Sequence, residues 1–310
     1  MSFKKKLVTW IGRVLMLLSM MTIWNKISSS DLTFNLFYSY ERFIQATFLT
    51  LLFAAIVLCF SGSFIWLTHK TTGTRLLTHQ AVASYCKSNV YKYLPTGLVG
   101  YVEIGQLAKF YPYLESKQLT VNSFVITVFR TVGAFIVIVF TIFPIATEYV
   151  NSHVSRFWLF AIPTSLSVIL VATLFSRSLL KKQLIKFGYN LSIIATLTFH
   201  GILRSSLLGF SFVLMLNFVG SYVPVHLFIT IIGSYTLAWL IGVLVPGVVG
   251  GIGIREGVLL HLLTGIIAPQ NLIQAVILHR ILYTLGDVLA YVISHLYSRN
   301  ISSISYYYKA

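Results

Sequence analysis

The chain of 310 residues is 57% hydrophobic and only 10% charged, whereas a soluble domain carries about 25% charged residues. So few charges cannot cover a water-soluble surface, which excludes an ordinary soluble protein of one or two domains. The net charge of +16 would suggest nucleic-acid binding in a soluble protein. In a chain this apolar it is typical of cytoplasmic loops instead, so nucleic acid is not an expected partner.

The apolar segments predict an all-α polytopic membrane protein with about six to eight transmembrane helices. The first segment follows three lysines and is interpreted as an uncleaved span whose N-terminus is cytoplasmic. Each predicted span is long enough to cross a hydrocarbon core of about 30 Å. The predicted spans are 7–24, 46–68, 121–143, 157–175, 189–219 and 272–297.

Two further apolar segments are interrupted by proline and glycine. The first comprises 75–94, Pro95 and the short stretch 96–110, and the second runs from 225 through Pro246 to 268. Each is predicted to form a re-entrant hairpin. Such breaks are tolerated in lipid only where protein or water satisfies the freed backbone groups.

The spacing of these landmarks predicts an internal repeat. Pro95 precedes Arg130 by 35 residues, and Pro246 precedes Arg280 by 34. The predicted units, 46–143 and 197–297, each contain a span, a broken hairpin and a span within one integral membrane domain, 1–310. The basic loops orient the two units oppositely, so an inverted repeat is expected, with both chain termini on the cytoplasmic side of the plasma (inner) membrane. In transporters built this way the breaks mark the binding site.

The run PGVVGGIGIREG, from Pro246 to Gly257, is the more informative break. Its glycines permit backbone conformations closed to other residues, and a helix that restarts near Ile254 would direct backbone amides and Arg255 toward a phosphate. Glu256 either contacts a cationic headgroup or pairs with an arginine; the alternative is a tight, purely structural helix crossing. The candidate substrate-binding residues here are Pro246, Gly250, Gly251, Gly253, Arg255 and Glu256.

Five arginines lie within apolar segments, where each costs about 2.5–3.5 kcal/mol at a helix centre unless it is paired or hydrated. They are Arg13, Arg130, Arg204, Arg255 and Arg280. Only three acids lie nearby: Glu103, Glu256 and Asp287. The excess of positive charge predicts an anionic ligand, and the nearly equivalent repeat positions of Arg130 and Arg280 predict a shared central site.

The first break contributes fewer candidates. Asn89 and Pro95 are predicted to belong to the substrate site. Lys92 and Tyr93 are interpreted as ordinary anchors at the membrane interface, where such residues are common.

Several chemistries are not indicated by the sequence. It contains no GxxxxGK[ST] loop, no HExxH pair and no GxSxG elbow, so we expect no cofactor, no metal and no enzymatic activity. An integral-membrane enzyme that acts on a lipid-linked substrate, with Glu256 or Asp287 as the acid or base, remains an alternative. A scaffold for such an enzyme is another.

The run Gly250-Gly251-Ile252-Gly253-Ile254-Arg255-Glu256 behind Pro246-Gly247 resembles the signature of the lysylphosphatidylglycerol synthase transmembrane-region family. The segment Lys92-Tyr93-Leu94-Pro95, with Gly100 after it, resembles that family's other landmark. The order of spans is also similar, so the resemblance covers nearly the whole chain.

The resemblance implies a flippase-like lipid transporter without the family's soluble synthase domain. Its expected partner is a membrane lipid, either a phospholipid or a polyprenyl-phosphate-linked glycan, together with a separate lipid-modifying enzyme. The sequence departs from the family pattern at Tyr101, Ile104 and around Arg130. The additional arginine favours an anionic, phosphate-bearing headgroup over a lysyl one.

Overall fold

The computed structural model describes residues 39–93, 99–111, 113–149, 188–245, 251 and 253–307. Within these residues the chain is helical and has no strands beyond one isolated bridge between Thr264 and Ile267. A 3₁₀ segment, Gln106–Phe110, lies between the third and fourth helices. The α-helices are α1 (Tyr40–Thr72), α2 (Thr78–Tyr91), α3 (Val99–Gly105), α4 (Ser116–Tyr149), α5 (Leu191–Phe218), α6 (Val225–Leu244), α7 (Ile254–Leu263) and α8 (Pro269–Tyr307).

Five of these helices, α1, α4, α5, α6 and α8, are long and apolar enough to cross a membrane. This confirms the coarse prediction of an all-helical, multi-pass membrane protein. The predicted spans 46–68, 121–143, 189–219 and 272–297 correspond to α1, α4, α5 and α8. The predicted spans 7–24 and 157–175 lie outside the described residues.

Local sequence signals explain where the helices start and stop. The side chain of Ser39 accepts a hydrogen bond from the backbone N–H of Arg42 at the start of α1, and Asn190 does the same for Ile193 at the start of α5. Gly73 ends α1 in the left-handed region, with a φ of 71°. These caps satisfy backbone groups that a helix end leaves unpaired.

The long helices also carry large apolar side chains on their outer surfaces. Phe43 and Phe48 of α1 are 60% and 59% exposed, and Leu191 and Phe199 of α5 are 80% and 61% exposed. A water-soluble monomer rarely presents so much apolar surface. Lipid is the solvent that suits this exterior.

The two broken segments differ in form. In the first, the short helices α2 and α3 pack together so closely that a Cβ atom on Gly100 would lie 2.6 Å from the carbonyl oxygen of Ser88. In the second, α6 has 20 residues and is long enough to cross a membrane by itself, while Pro246 lies outside the described residues. The re-entrant path of both segments therefore stays a prediction.

The principal contacts among the α-helices form a paired pattern. Among the first four helices α1 contacts α2, α2 contacts α3 and α3 contacts α4, and the same sequence of contacts joins α5, α6, α7 and α8. Between these two sets of four helices, α8 packs on α1 and α2, and α4 packs on α5 and α6. Exchanging the two sets of four helices leaves these contacts unchanged.

The two larger hydrophobic cores of the described residues follow the same division. One core surrounds α2 and α3 and includes Phe64 of α1, Phe129 of α4 and Leu197 of α5. The other surrounds α6 and α7 and includes Phe212 of α5 and Leu282 of α8. The helices α1, α5 and α8 contribute to both cores, which places the region between the two broken segments at the centre of the described helices.

Glycines allow α4 and α5 to approach closely beside this central region. A Cβ atom on Gly201 would lie 2.6 Å from the carbonyl oxygen of Phe129 and 3.0 Å from the Cα atom of Arg130, and Gly133 lies against the backbone of Gly201 and Ile202. Small residues at helix crossings are the usual means of close packing in membranes. This crossing positions Arg130 on α4 next to α5.

Replacing Gly201 with alanine should therefore destabilise the protein by about 1–3 kcal/mol, because the added methyl group forces two backbones apart. The measurement is the thermal unfolding of the purified protein in detergent. Gly62→Ala on α1 is the matched control, since a Cβ atom there meets nothing within 4 Å. Equal unfolding temperatures for the two variants would contradict the close crossing.

Candidate functional site

A cavity of about 300 Å³ lies between the helices, and every described α-helix except α1 contributes to its wall. It is the place where the two broken segments meet α4, α5 and α8. Residues lining it are Tyr85, Ser88, Asn89, Lys92, Tyr93, Gly100, Tyr101, Ser123, Ile126, Thr127, Arg130, Arg204, Trp239, Gly242, Val243, Gly251, Arg255, Arg280 and Tyr283.

Five of the lining side chains are basic: Lys92, Arg130, Arg204, Arg255 and Arg280. Two carboxylates pair with this set. Asp287 forms an ion pair with Lys92, and Glu256 forms one with Arg280. Five basic groups against two carboxylates leave an excess of three positive charges among the described residues, and an excess of that sign favours an anion.

Arg130 and Arg204 lie on one side of the cavity. Arg130 of α4 donates a hydrogen bond to the hydroxyl of Tyr85, and its guanidinium lies 5.6 Å from that ring. Arg204 of α5 is only 6% exposed and donates through Nη2 to the hydroxyl of Tyr283 at 3.3 Å. Neither arginine has a carboxylate within 4 Å in the described part of the chain, so their hydrogen bonds leave the positive charges uncompensated.

Arg255 and Arg280 come from the second broken segment and α8. Arg255 lies in the first turn of α7, with its guanidinium 5.9 Å from the ring of Trp239. Gly242 and Gly251 line its side chain, and a Cβ atom on Gly251 would lie 2.7 Å from Nε. Arg280 forms an ion pair with Glu256 at 3.5 Å. The two glycines thus make room for the side chain of Arg255, while Glu256 holds that of Arg280.

A third group of side chains joins α2 to α8. Lys92 forms an ion pair with the fully buried Asp287 at 2.5 Å and donates to the hydroxyl of Tyr283 at 3.1 Å. Tyr93 donates its hydroxyl to the same carboxylate at 2.6 Å. Because Tyr283 also accepts from Arg204, this network connects the first broken segment, α5 and α8 at the cavity wall.

Three buried donors on the cavity wall have no hydrogen-bond partner within the residues that the structure describes. They are Nδ2 of Asn89, Nη1 of Arg204 and Nε of Arg255. Buried donors are almost always satisfied in proteins, by protein, water or ligand. Their convergence on a single cavity indicates a ligand or solvent rich in hydrogen-bond acceptors.

The structure brings together most of the predicted site residues that it describes. Asn89, Arg130, Gly251, Arg255 and Arg280 line the cavity. Gly253 has a φ of 86° at the start of α7, and its N–H donates to Glu256 at 2.7 Å. Glu256 contacts the cavity through Arg280 and is not among the lining residues. Pro95, Pro246 and Gly250 lie outside the described residues.

The structure also corrects one interpretation and adds residues to the site. Lys92 and Tyr93 are not simple interface anchors, since both line the cavity and contact Asp287. Tyr283 was missed, although its position three residues after Arg280 and four before Asp287 puts all three on one face of α8. This helical spacing was therefore the sequence signal that could have identified Tyr283 as a site residue.

Glu103, the remaining acid considered from sequence, lies on a separate contact. It accepts a hydrogen bond from Lys87 at 2.6 Å, which raises the pKa of Lys87 above its ordinary value. The side chain of Lys87 is 37% exposed. This pair joins α2 to α3 and does not offset the charge of the cavity.

The fold and the site together define a class: a polytopic helical membrane protein with a basic internal cavity. Among the described residues no cluster of three metal-ligating side chains occurs. No protein-family model, curated protein or solved structure matches the chain. The resemblance to the lysylphosphatidylglycerol synthase transmembrane-region family therefore stays a prediction.

Proposed function

We propose that this protein moves an anionic, phosphate-bearing lipid headgroup between the two leaflets of its membrane. The single observation that carries the proposal is the cavity, which is lined by five basic side chains of which only two form ion pairs with carboxylates among the described residues. Uncompensated charge within a membrane protein is costly, and intramembrane ionisable residues are functional by default. An anionic headgroup would balance the excess positive charge whenever it occupies the cavity, and would thereby offset the cost of burying that charge.

The hydrogen-bonding character of the cavity supports a phosphate. The unpartnered groups on its wall are donors on Asn89, Arg204 and Arg255, and phosphate oxygens are strong acceptors that arginine binds in a bidentate manner. The volume of about 300 Å³ is at the small end of the range for ligand pockets. A headgroup fits such a volume, and the acyl or isoprenyl tails would remain in lipid.

The paired contacts of the helices support a transporter plan. Exchange of the two four-helix sets preserves their contacts, and Arg130 and Arg280 come from the corresponding helices α4 and α8. Transporters with repeated units commonly bind substrate between the repeats, near broken helices. The resemblance of the Pro246–Gly257 run to a flippase-like family agrees with this plan.

Headgroup movement by this route needs no covalent chemistry. The arginines would hold the phosphate while the two four-helix sets move relative to each other. The headgroup would then avoid contact with hydrocarbon along its path. Since the sequence has no GxxxxGK[ST] loop, we expect the drive to come from an ion gradient or from the gradient of the lipid itself.

The test uses the purified full chain in vesicles that contain a trace of lipid labelled on its acyl chain. A membrane-impermeant reductant destroys the label in the outer leaflet, so the rate of further loss reports headgroup movement. We expect labelled phosphatidylglycerol to move faster than labelled phosphatidylcholine, whose choline cation the arginines repel. Arg280→Ala and Glu256→Gln should both abolish this movement, because the first removes the charge and the second frees the arginine that Glu256 positions.

Lys117→Ala is the matched control, since Lys117 is an exposed basic residue on the same helix as Arg130. It should move lipid at the wild-type rate. Vesicles without protein set the background. Movement at background rate for every lipid, by a protein that elutes as a folded species, would overturn the proposal. Conversion of the lipid to a new product would favour the alternative of a membrane enzyme.

A further inference from the structure

The four arginines of the cavity form two separate pairs. Arg130 and Arg204 both line a small side pocket of about 10 Å³ together with Ser205, Thr236 and Trp239. Neither Arg255 nor Arg280 reaches this side pocket. The first pair thus shares a location on α4 and α5 that the second pair does not.

The second pair, Arg255 and Arg280, lies in the main cavity and outside the side pocket. The guanidinium of Arg255 is 5.9 Å from the ring of Trp239, and Arg280 is held by Glu256, the neighbour of Arg255 in the chain. Trp239 lines both the side pocket and the main cavity, so it is a wall residue common to the surroundings of both pairs. Each pair keeps one buried donor without a partner among the described residues, Nη1 of Arg204 and Nε of Arg255.

The charge balance restricts the ligand further. The described residues leave three positive charges in excess at the cavity. A phosphodiester carries one negative charge and would leave most of this excess uncompensated, whereas a terminal diphosphate carries about two to three negative charges. Burial of unbalanced charge is strongly unfavourable, so the more highly charged group suits the cavity better.

We propose that the cavity binds a terminal diphosphate borne by a lipid, with one phosphoryl group at the Arg130–Arg204 pair and the other at the Arg255–Arg280 pair. This inference rests on the proposed function and narrows its substrate class. Both arginine pairs contribute to affinity only when the ligand contacts both of them. A single phosphoryl group occupies one pair and leaves the other empty.

The experiment measures binding to the purified full chain in detergent by titration calorimetry, with four probes: farnesyl diphosphate, farnesyl phosphate, inorganic pyrophosphate and inorganic phosphate. Farnesyl diphosphate should bind at least about tenfold tighter than farnesyl phosphate, because a second set of charge-assisted hydrogen bonds forms. It should also bind tighter than pyrophosphate, because the lipid tail is part of the ligand.

Variants in each pair test the two-site arrangement. Arg204→Gln and Arg255→Gln should each remove most of the preference for farnesyl diphosphate while leaving the affinity for farnesyl phosphate within about threefold, since one intact pair remains. Arg255→Lys keeps the positive charge and provides a second, conservative variant at the Arg255–Arg280 pair. Lys117→Gln should leave all affinities unchanged.

The outcomes separate this inference from the proposed function. Equal affinity for farnesyl phosphate and farnesyl diphosphate would overturn the diphosphate assignment while headgroup movement in vesicles stands. Equal affinity for pyrophosphate and farnesyl diphosphate would assign the site to a soluble anion and overturn the lipid ligand. Absence of binding by any of the four probes, together with no lipid movement in vesicles, would overturn both.

Discussion

The double exchange Arg130→Gln and Arg280→Gln should abolish headgroup movement, and Arg130→Gln alone should slow it by about 10- to 100-fold, the loss expected for charge-assisted hydrogen bonds. The double variant lowers the excess positive charge at the cavity from three to one. Glutamine removes the positive charge but keeps a polar side chain with hydrogen-bonding capacity. Charge, not packing, is the quantity that changes most.

The same vesicle assay measures this effect, with the elution profile and thermal unfolding of each variant as the control for folding. A matched double variant, Arg75→Gln with Lys117→Gln, removes two exposed basic residues and should move lipid at the wild-type rate. Unaltered movement in the Arg130 and Arg280 double variant would show that the cavity charge has no part in transport.

Loss of Asp287 should have the largest effect on stability. Asp287 is fully buried and accepts from both Lys92 and Tyr93. Asp287→Asn should destabilise the protein by about 3 kcal/mol, because it leaves the charge of Lys92 without its carboxylate. This value is at the low end for a buried pair, since the side chain of Lys92 is 30% exposed.

The chain offers a matched control in its other lysine–carboxylate pair. Glu103→Gln breaks the contact with Lys87, whose side chain is 37% exposed, and exposed pairs contribute about 0–1 kcal/mol. Thermal unfolding in detergent should therefore separate the two variants clearly. A double variant, Lys92→Met with Asp287→Leu, should be more stable than Asp287→Asn alone. Similar losses for Asp287→Asn and Glu103→Gln would contradict the role given to the buried pair.

Much of the fold was predictable because the signals are local. A run of apolar residues long enough to cross lipid identifies a span without reference to any other segment, and four predicted spans match α1, α4, α5 and α8. The form of the second broken segment was less predictable. The helix α6 is long enough to cross a membrane by itself, and the re-entrant hairpin predicted from the break at Pro246 stays a prediction because Pro246 lies outside the described residues.

The site was predictable only in part, because its residues meet through contacts between distant segments. Arg130, Arg255 and Arg280 were identifiable since a charge within an apolar run stands out. Lys92 was not identifiable as a site residue, because a lysine at the end of a segment is common at membrane interfaces. Only its contact with Asp287, 195 positions further along the chain, distinguishes it.

The sequence by itself determined the solvent of this protein, the helical class and the presence of arginines inside its spans. Those properties depend on composition and on length, which are local quantities. The tertiary structure decided which charges are balanced: Lys92 by Asp287 and Arg280 by Glu256, with Arg130, Arg204 and Arg255 lacking a carboxylate partner among the described residues. Electrostatic energy depends on distances through space, and only packing of the helices brings these groups around one cavity.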